Sequence, residues 1–284
     1  MTATPAKLGN TRVTGKEQYY TPIHVADEIL DNLEQLIGSL KKRTVLEPAG
    51  GTGSFITAAQ NHGVTQFISF DIEPHHPLVT KGDFLTKRLS EPGLVTVSNP
   101  PFGRNNALSI PFFNHAAAAS DVIAFIVPRS WRKWSVQNRL DRRFELVRDD
   151  DLGINYVDHR GALLSRKNLL RTCVQYWRRT EKLRPLYKVR DMNLISRSTP
   201  EQADAAITQF GYGCGTLRTN FDRVPNTTQM FVKLNHPKVK KAFRDGDFSR
   251  FYNNTAYTEA LSLPEINYVL NEQIFGDPML EELH

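Results

Sequence analysis

Residues 95–103 read VTVSNPPFG, so an amide, two prolines and a ring stand directly behind an apolar run. Pro100 and Pro101 lock the backbone and remove it from ladder pairing. A rigid strand-end loop of this kind can aim the Asn99 side-chain oxygen and the Pro100 carbonyl at one point, with Phe102 offering a flat face beside them. Two acceptors and a ring suit a planar amine. A diproline turn capped by an Asx-type Asn99 is the plainer alternative.

Upstream, EPAGGTGSF at 47–55 sets Glu47, Pro48 and Ala49 before a glycine turn that carries Gly51 and Gly53 and ends at Phe55. Such a turn between a strand and a helix lets backbone N–H groups approach a ligand. The pattern is neither the dinucleotide fingerprint nor a P-loop, which disfavours pyrophosphate. The acidic Glu47 suits a cationic amino-acid ligand better. A second strand ends in Asp71-Ile72, where a carboxylate can accept hydrogen bonds from ribose hydroxyls. Asp83-Phe84 follows, an acid beside a ring that suits adenine. Each acid taken alone also fits an ordinary loop carboxylate.

These groups need stiff elements beneath them. Val25, Ile29, Leu33, Leu36 and Ile37 form one stripe of a helix over 23–38, ending at Gly38. Apolar runs at 44–46, 66–70, 94–97 and 122–127 have the length of buried strands, with helices expected at 55–61 and 112–119. The alternation implies a doubly wound parallel sheet, closed by strands at 144–147 and 172–177, one of them antiparallel. From about Lys182 prolines and the cluster GYGCG at 211–215 break the chain into short elements. Helices at 201–209 and 264–273 and a strand at 229–234 are expected there. The reading is thus a flexible basic tail over 1–16, a cofactor-binding and catalytic domain over 17–182 and a small α+β module for substrate recognition over 183–284.

EPAGGTGSF at 47–55, FDIEP at 70–74, GDF at 82–84, SNPPFG at 98–103 and the upstream Tyr19-Tyr20-Thr21-Pro22 together resemble the motif series of S-adenosylmethionine-dependent adenine methyltransferases, in the gamma order. The match is strong from 17 to about 103 and weaker to about 180. It implies an α/β, Rossmann-like class I methyltransferase fold with a mostly parallel seven-stranded sheet. It also implies that Thr21 and Pro22 line the methionine moiety of the cofactor, and that Glu47 with the Gly51–Gly53 turn meets its amino and carboxylate ends. Asp71 would hold the ribose, and Asp83 with Phe84 the adenine. Tyr20, Pro48, Ala49, Phe55, Ile72 and Asn99 would complete the cofactor site. Asn99, Pro100, Pro101 and Phe102 would be catalytic, and Phe144 and Trp131 are the candidates for the later base-stacking aromatic. The implied reaction moves a methyl group to the exocyclic amine of adenine in DNA. RNA is the second substrate; a protein glutamine amide, or a silent nucleic-acid-binding subunit, ranks lower.

The chain of 284 residues carries 40% hydrophobic and 23% charged residues, the balance of a folded protein. No apolar run approaches the roughly 20 residues of a membrane span. Two cysteines make no disulfide framework, and Cys173 reads as core. A cytoplasmic monomer is expected, with room for a partner protein, and with neither membrane nor metal. His75-His76 lacks the companions a metal needs. Net charge is +6, yet residues 129–190 hold 17 basic against 7 acidic residues. Rings among those cations suit phosphate contact and base stacking, although a packed core would claim Tyr176 and Trp177 equally well. Arg129, Trp131, Arg132, Lys133, Arg166 and Lys167 are the expected nucleic-acid contacts.

Overall fold

The computed structural model describes residues 19–163 and 170–283, so Arg166, Lys167 and the tail over 1–16 lie outside the described residues. The chain divides into two compact units. The first holds residues up to Pro128 together with Arg139–Arg184, the second Arg129–Asn138 with the remainder from Pro185. Among the described residues no helix is long and apolar enough to cross a membrane.

In the first unit, helix α1 (Ile23–Ile37) buries Val25, Ala26, Ile29, Leu30 and Leu33, and stops where Gly38 takes φ +80°. Strand β1 (Thr44–Glu47) then runs into the glycine turn, whose Gly53, at φ +77°, caps helix α2 (Ser54–Asn61). Next come β2 (Gln66–Asp71), β3 (Thr80–Lys81), β4 (Leu94–Ser98), helix α3 (Ser109–Ala116) and β5 (Ser120–Pro128). The short helix α4 (Trp134–Gln137) belongs to the second unit, and β6 (Phe144–Leu152) and β7 (Thr172–Arg179) return to the first. The strand order is β3-β2-β1-β4-β5-β7-β6. β7 runs antiparallel to both neighbours and every other pairing is parallel. This is the α/β, Rossmann-like class I fold with its mostly parallel seven-stranded sheet. Strand order reverses between β1 and β4, and ligands of such sheets bind at the carboxyl ends of strands beside that point. β4 is buried along its whole length, as a central strand covered on both faces must be.

The second unit pairs β9 (Ile195–Arg197), β10 (Ala205–Phe210), β11 (Leu217–Arg218) and β12 (Thr228–Leu234) in the order β11-β10-β12-β9, all antiparallel. A separate ribbon joins β8 (Leu186–Val189) to β13 (Leu280–Leu283). Helices α5 (Val239–Asp245), α6 (Ser249–Tyr252) and α7 (Leu263–Phe275) complete it. The helix expected at 201–209 is strand β10 instead. Its Ala205, Ala206 and Ile207 are wholly buried between two partner strands, and that pairing overrides the helical preference of the alanines.

Candidate active site

A cavity of about 410 Å³ opens at the carboxyl ends of the central strands of the first unit. It is lined by Tyr20, Pro48, Ala49, Asp71, Ile72, Asp83, Phe84, Asn99, Pro100, Pro101 and Phe102, eleven positions expected from sequence. Tyr19, Glu73, Gly82, Leu85, Leu108 and Phe112 line it as well. The volume lies in the range of small-ligand sites.

Asn99 follows β4, and its Nδ2 donates to the Tyr19 carbonyl at 2.8 Å. That bond fixes which end of the carboxamide is which, and Oδ1 accepts no hydrogen bond among the described residues. Tyr19 is held in turn, because the next residue exchanges two 3.1 Å backbone bonds with Val157. The sequence signal for this arrangement was weak, since the group that orients Asn99 is a main-chain oxygen eighty residues upstream. Phe84 forms an aromatic wall, in contact with Phe112 at 5.3 Å between ring centroids and with the edge of His115 at 4.7 Å. Asp83 caps the turn that starts at Phe84 by accepting from Leu85 N at 3.0 Å.

Asp71 lies at the end of β2. Its Oδ2 accepts from Gly51 N at 2.8 Å and its Oδ1 from Glu73 N at 2.8 Å, which sets the carboxylate at the cavity wall with lone pairs to spare. The glycine turn itself is covered. A Cβ on Gly51 would stand 2.5 Å from the Tyr20 ring, and one on Gly53 would stand 2.4 Å from His76. Neither Gly51, Gly53, Glu47, Thr21, Pro22 nor Phe55 lines the cavity. Burial, with Asp71, Glu73 and Asp158 nearby, pushes the Tyr20 phenol up to about 12, so it stays neutral.

Glu47 sits beneath the site rather than in it. It is 2% exposed, and its Oε1 accepts from Ser98 Oγ at 2.6 Å and Ala49 N at 3.1 Å. Burial raises its carboxyl to about 8 against the lowering by those two bonds. The folded chain therefore keeps a proton, from the ordinary carboxylate range up to about pH 8, that the unfolded chain releases. Stability falls as pH rises through that window. Glu47→Gln cannot ionise, and should gain up to about 1.4 kcal/mol per pH unit over the parent between pH 5 and 8. Denaturant melts at the two ends of that range read the difference; equal gains at both would remove the buried acid.

The aromatics proposed for base stacking are elsewhere. Phe144 and Trp131 are both fully buried, and neither lines the cavity. Phe144 opens β6 with its ring against Phe113 at 5.6 Å and the Arg179 guanidinium 4.8 Å from its centroid. Lys133 is also not a surface contact: its Nζ donates to the buried Glu265 carboxylate at 2.7 Å, inside the second unit. Arg129 and Arg132 are half-buried.

No family model matches the chain. A stretch of 95 residues is 28% identical to the type II methyltransferase M.HincII of Haemophilus influenzae, covering 32% of this chain and 18% of that protein. M.HindII of Haemophilus influenzae (strain ATCC 51907 / DSM 11121 / KW20 / Rd) matches with the same figures. The chain spans less than a fifth of the length of these curated relatives. Among solved structures, the type I restriction-modification system methyltransferase subunit from Streptococcus thermophilus superposes with a TM-score of 0.43 at 14% identity, over 64% of this chain and 49% of that one. TrmN from Thermus thermophilus gives 0.37 at 15%, over 52% and 47%.

Proposed function

We propose that the chain is a methyltransferase that moves a methyl group from S-adenosylmethionine to the exocyclic amine of adenine in DNA. The observation that carries this reading is the Asn99 carboxamide, held by Tyr19 so that Oδ1 has no partner among the described residues, next to a diproline backbone in a cavity with an aromatic wall. The likeness to two type II methyltransferases adds to it.

The cavity suits the cofactor. Asp71 would hold the ribose hydroxyls, and Phe84, Ile72 and Asp83 the adenine, while Tyr20, Pro48 and Ala49 would flank the amino-acid end because Tyr20 covers Gly51. Asp71 supports the placement: each of its oxygens accepts one backbone N–H and keeps a lone pair at the cavity wall, the acceptors that ribose hydroxyls need. Bound there, the cofactor supplies an electrophilic methyl. The residues of the chain supply the rest. The amine of adenine is a weak nucleophile, because its lone pair is delocalised into the ring. Asn99 Oδ1 and the Pro100 carbonyl accept its two N–H hydrogens and favour a tetrahedral nitrogen, stabilising the charge that develops on it. Phe102 and the prolines hold the base in near-attack contact. In duplex DNA the base must leave the stack, at a cost of a few kcal/mol that stacking on Phe102 offsets in part.

The test is to incubate the purified chain with labelled cofactor and matched duplex DNA, single-stranded DNA and RNA, then to identify the modified nucleoside by mass spectrometry. N6-methyladenosine of the deoxy series is expected. Label confined to RNA, or to protein, would overturn the substrate; label on no polymer would overturn the activity.

A further inference from the structure

Among the described residues, every charged side chain that lines the cavity is acidic: Asp71, Glu73 and Asp83. A polyanion cannot be held against that wall, so a nucleic-acid strand that delivers its base there needs a cation at the mouth. Asp71 ends β2, Glu73 follows it and Asp83 follows β3, and in the order β3-β2-β1-β4 the opposite side of β1 belongs to β4. The loop after β4 carries a cation, Arg104.

That loop, 103–108, is tightly built. Gly103, Asn105 and Asn106 all have positive φ, at 66°, 54° and 62°. Two consecutive asparagines in the left-handed region are unusual, and such strain gathers where surrounding structure holds a functional shape. The holding contacts are present. Phe102 O accepts from Leu108 N at 3.2 Å and Ser109 N at 3.4 Å, and Asn106 is 6% exposed. A Cβ at Gly103 would meet Leu108 at 2.9 Å, so the bend requires glycine. The result brings Leu108, 40% exposed, to the cavity, and leaves Arg104 and Asn105 in solvent. The Arg104 guanidinium has no hydrogen bond or ion pair among the described residues.

We infer that loop 103–108 is a preformed lip for the strand that carries the target base, with Arg104 on a backbone phosphate beside that nucleotide and Leu108 against the entering base. The inference rests on the nucleic-acid reading above and adds to it the residue that holds the backbone. It replaces the buried Trp131 and the paired Lys133 with a cation that is free to bind.

Labelled random-sequence duplex and single-stranded DNA, bound in a salt titration and followed by anisotropy, test the lip without any need for methyl transfer. Arg104→Ala should weaken binding about 5- to 20-fold and reduce the slope of log K against log [salt] by about one, while Arg104→Lys keeps most of the slope. Cofactor affinity and thermal melts should match the parent, because Arg104 is exposed. Where methylation is also measured, KM for DNA should rise with kcat within about twofold of the parent, the sign of an interaction equal in ground and transition states. An unchanged slope in Arg104→Ala, or equal losses in the Ala and Lys variants, overturns the lip whatever the parent methylates. A reduced slope in a chain that methylates no adenine keeps the lip and overturns the adenine reading alone.

Discussion

Asn99→Ala should lower methyl transfer by at least about 10²–10³-fold while cofactor affinity stays within several-fold, because it removes one of two acceptors that act as charge develops on the amine. Single-turnover assays with labelled cofactor read the first quantity and calorimetry the second. Asn99→Asp separates orientation from the mere presence of an oxygen. It retains an acceptor but loses the N–H that Tyr19 O accepts, so a carboxylate oxygen faces a carbonyl at the 2.8 Å position. It should be nearly as impaired as the alanine variant. Undiminished turnover in Asn99→Ala would end the assigned role, since no second side-chain amide among the described residues lines the cavity.

Glu265→Ala should destabilise the second unit by about 3–5 kcal/mol, the usual effect of removing one partner of a buried ion pair. Glu265 is 1% exposed, and its Oε2 accepts from Lys133 Nζ, Ser262 N and Ser262 Oγ, each at 2.7 Å. One truncation therefore strands the Lys133 charge and opens the capping box of α7 together. Lys133→Met alone should cost less, because Ser262 still satisfies the carboxylate. Denaturant melts of both single variants and the double variant form a cycle. Additive effects would show that the pair contributes nothing of its own.

Much of the first unit was legible in its residues. The stripe from Val25 to Ile37, the apolar runs and the glycine turn gave α1, β1, α2, β2, β4 and β5 nearly at their observed bounds, because burial on both faces of a parallel sheet leaves a continuous apolar signature. The cavity residues at the strand ends were legible for the same reason: their positions follow from the strands. Contacts made by main-chain atoms were not. Tyr19 orients Asn99 through a carbonyl that any residue possesses, and Tyr20 covers Gly51 through a fold-back that no local pattern encodes. Glu47 suits a ligand by its type but faces Ser98, since a carboxylate's type does not disclose its direction. The excess of cations over 129–190 misled in a related way. Lys133 answers a buried acid 132 residues later, and Arg179 bonds to the carbonyls of Ser120 and Ala117. In the second unit alanines and short elements carry little periodic signal, and the residues of strand β10 suggest a helix by composition alone.

The second unit is not a single run of sequence. Arg129–Asn138 joins it from between β5 and β6, and Trp134 of that piece stacks on Tyr268 at 5.5 Å and meets Phe251 at 5.7 Å. Exchange of the second unit between two chains of this fold by simple end-to-end fusion at Arg184 would therefore leave a ten-residue graft behind, with its indole and its ammonium cut off from their companions. A working chimera has to transplant both pieces at once, and recombination with a single breakpoint cannot do so.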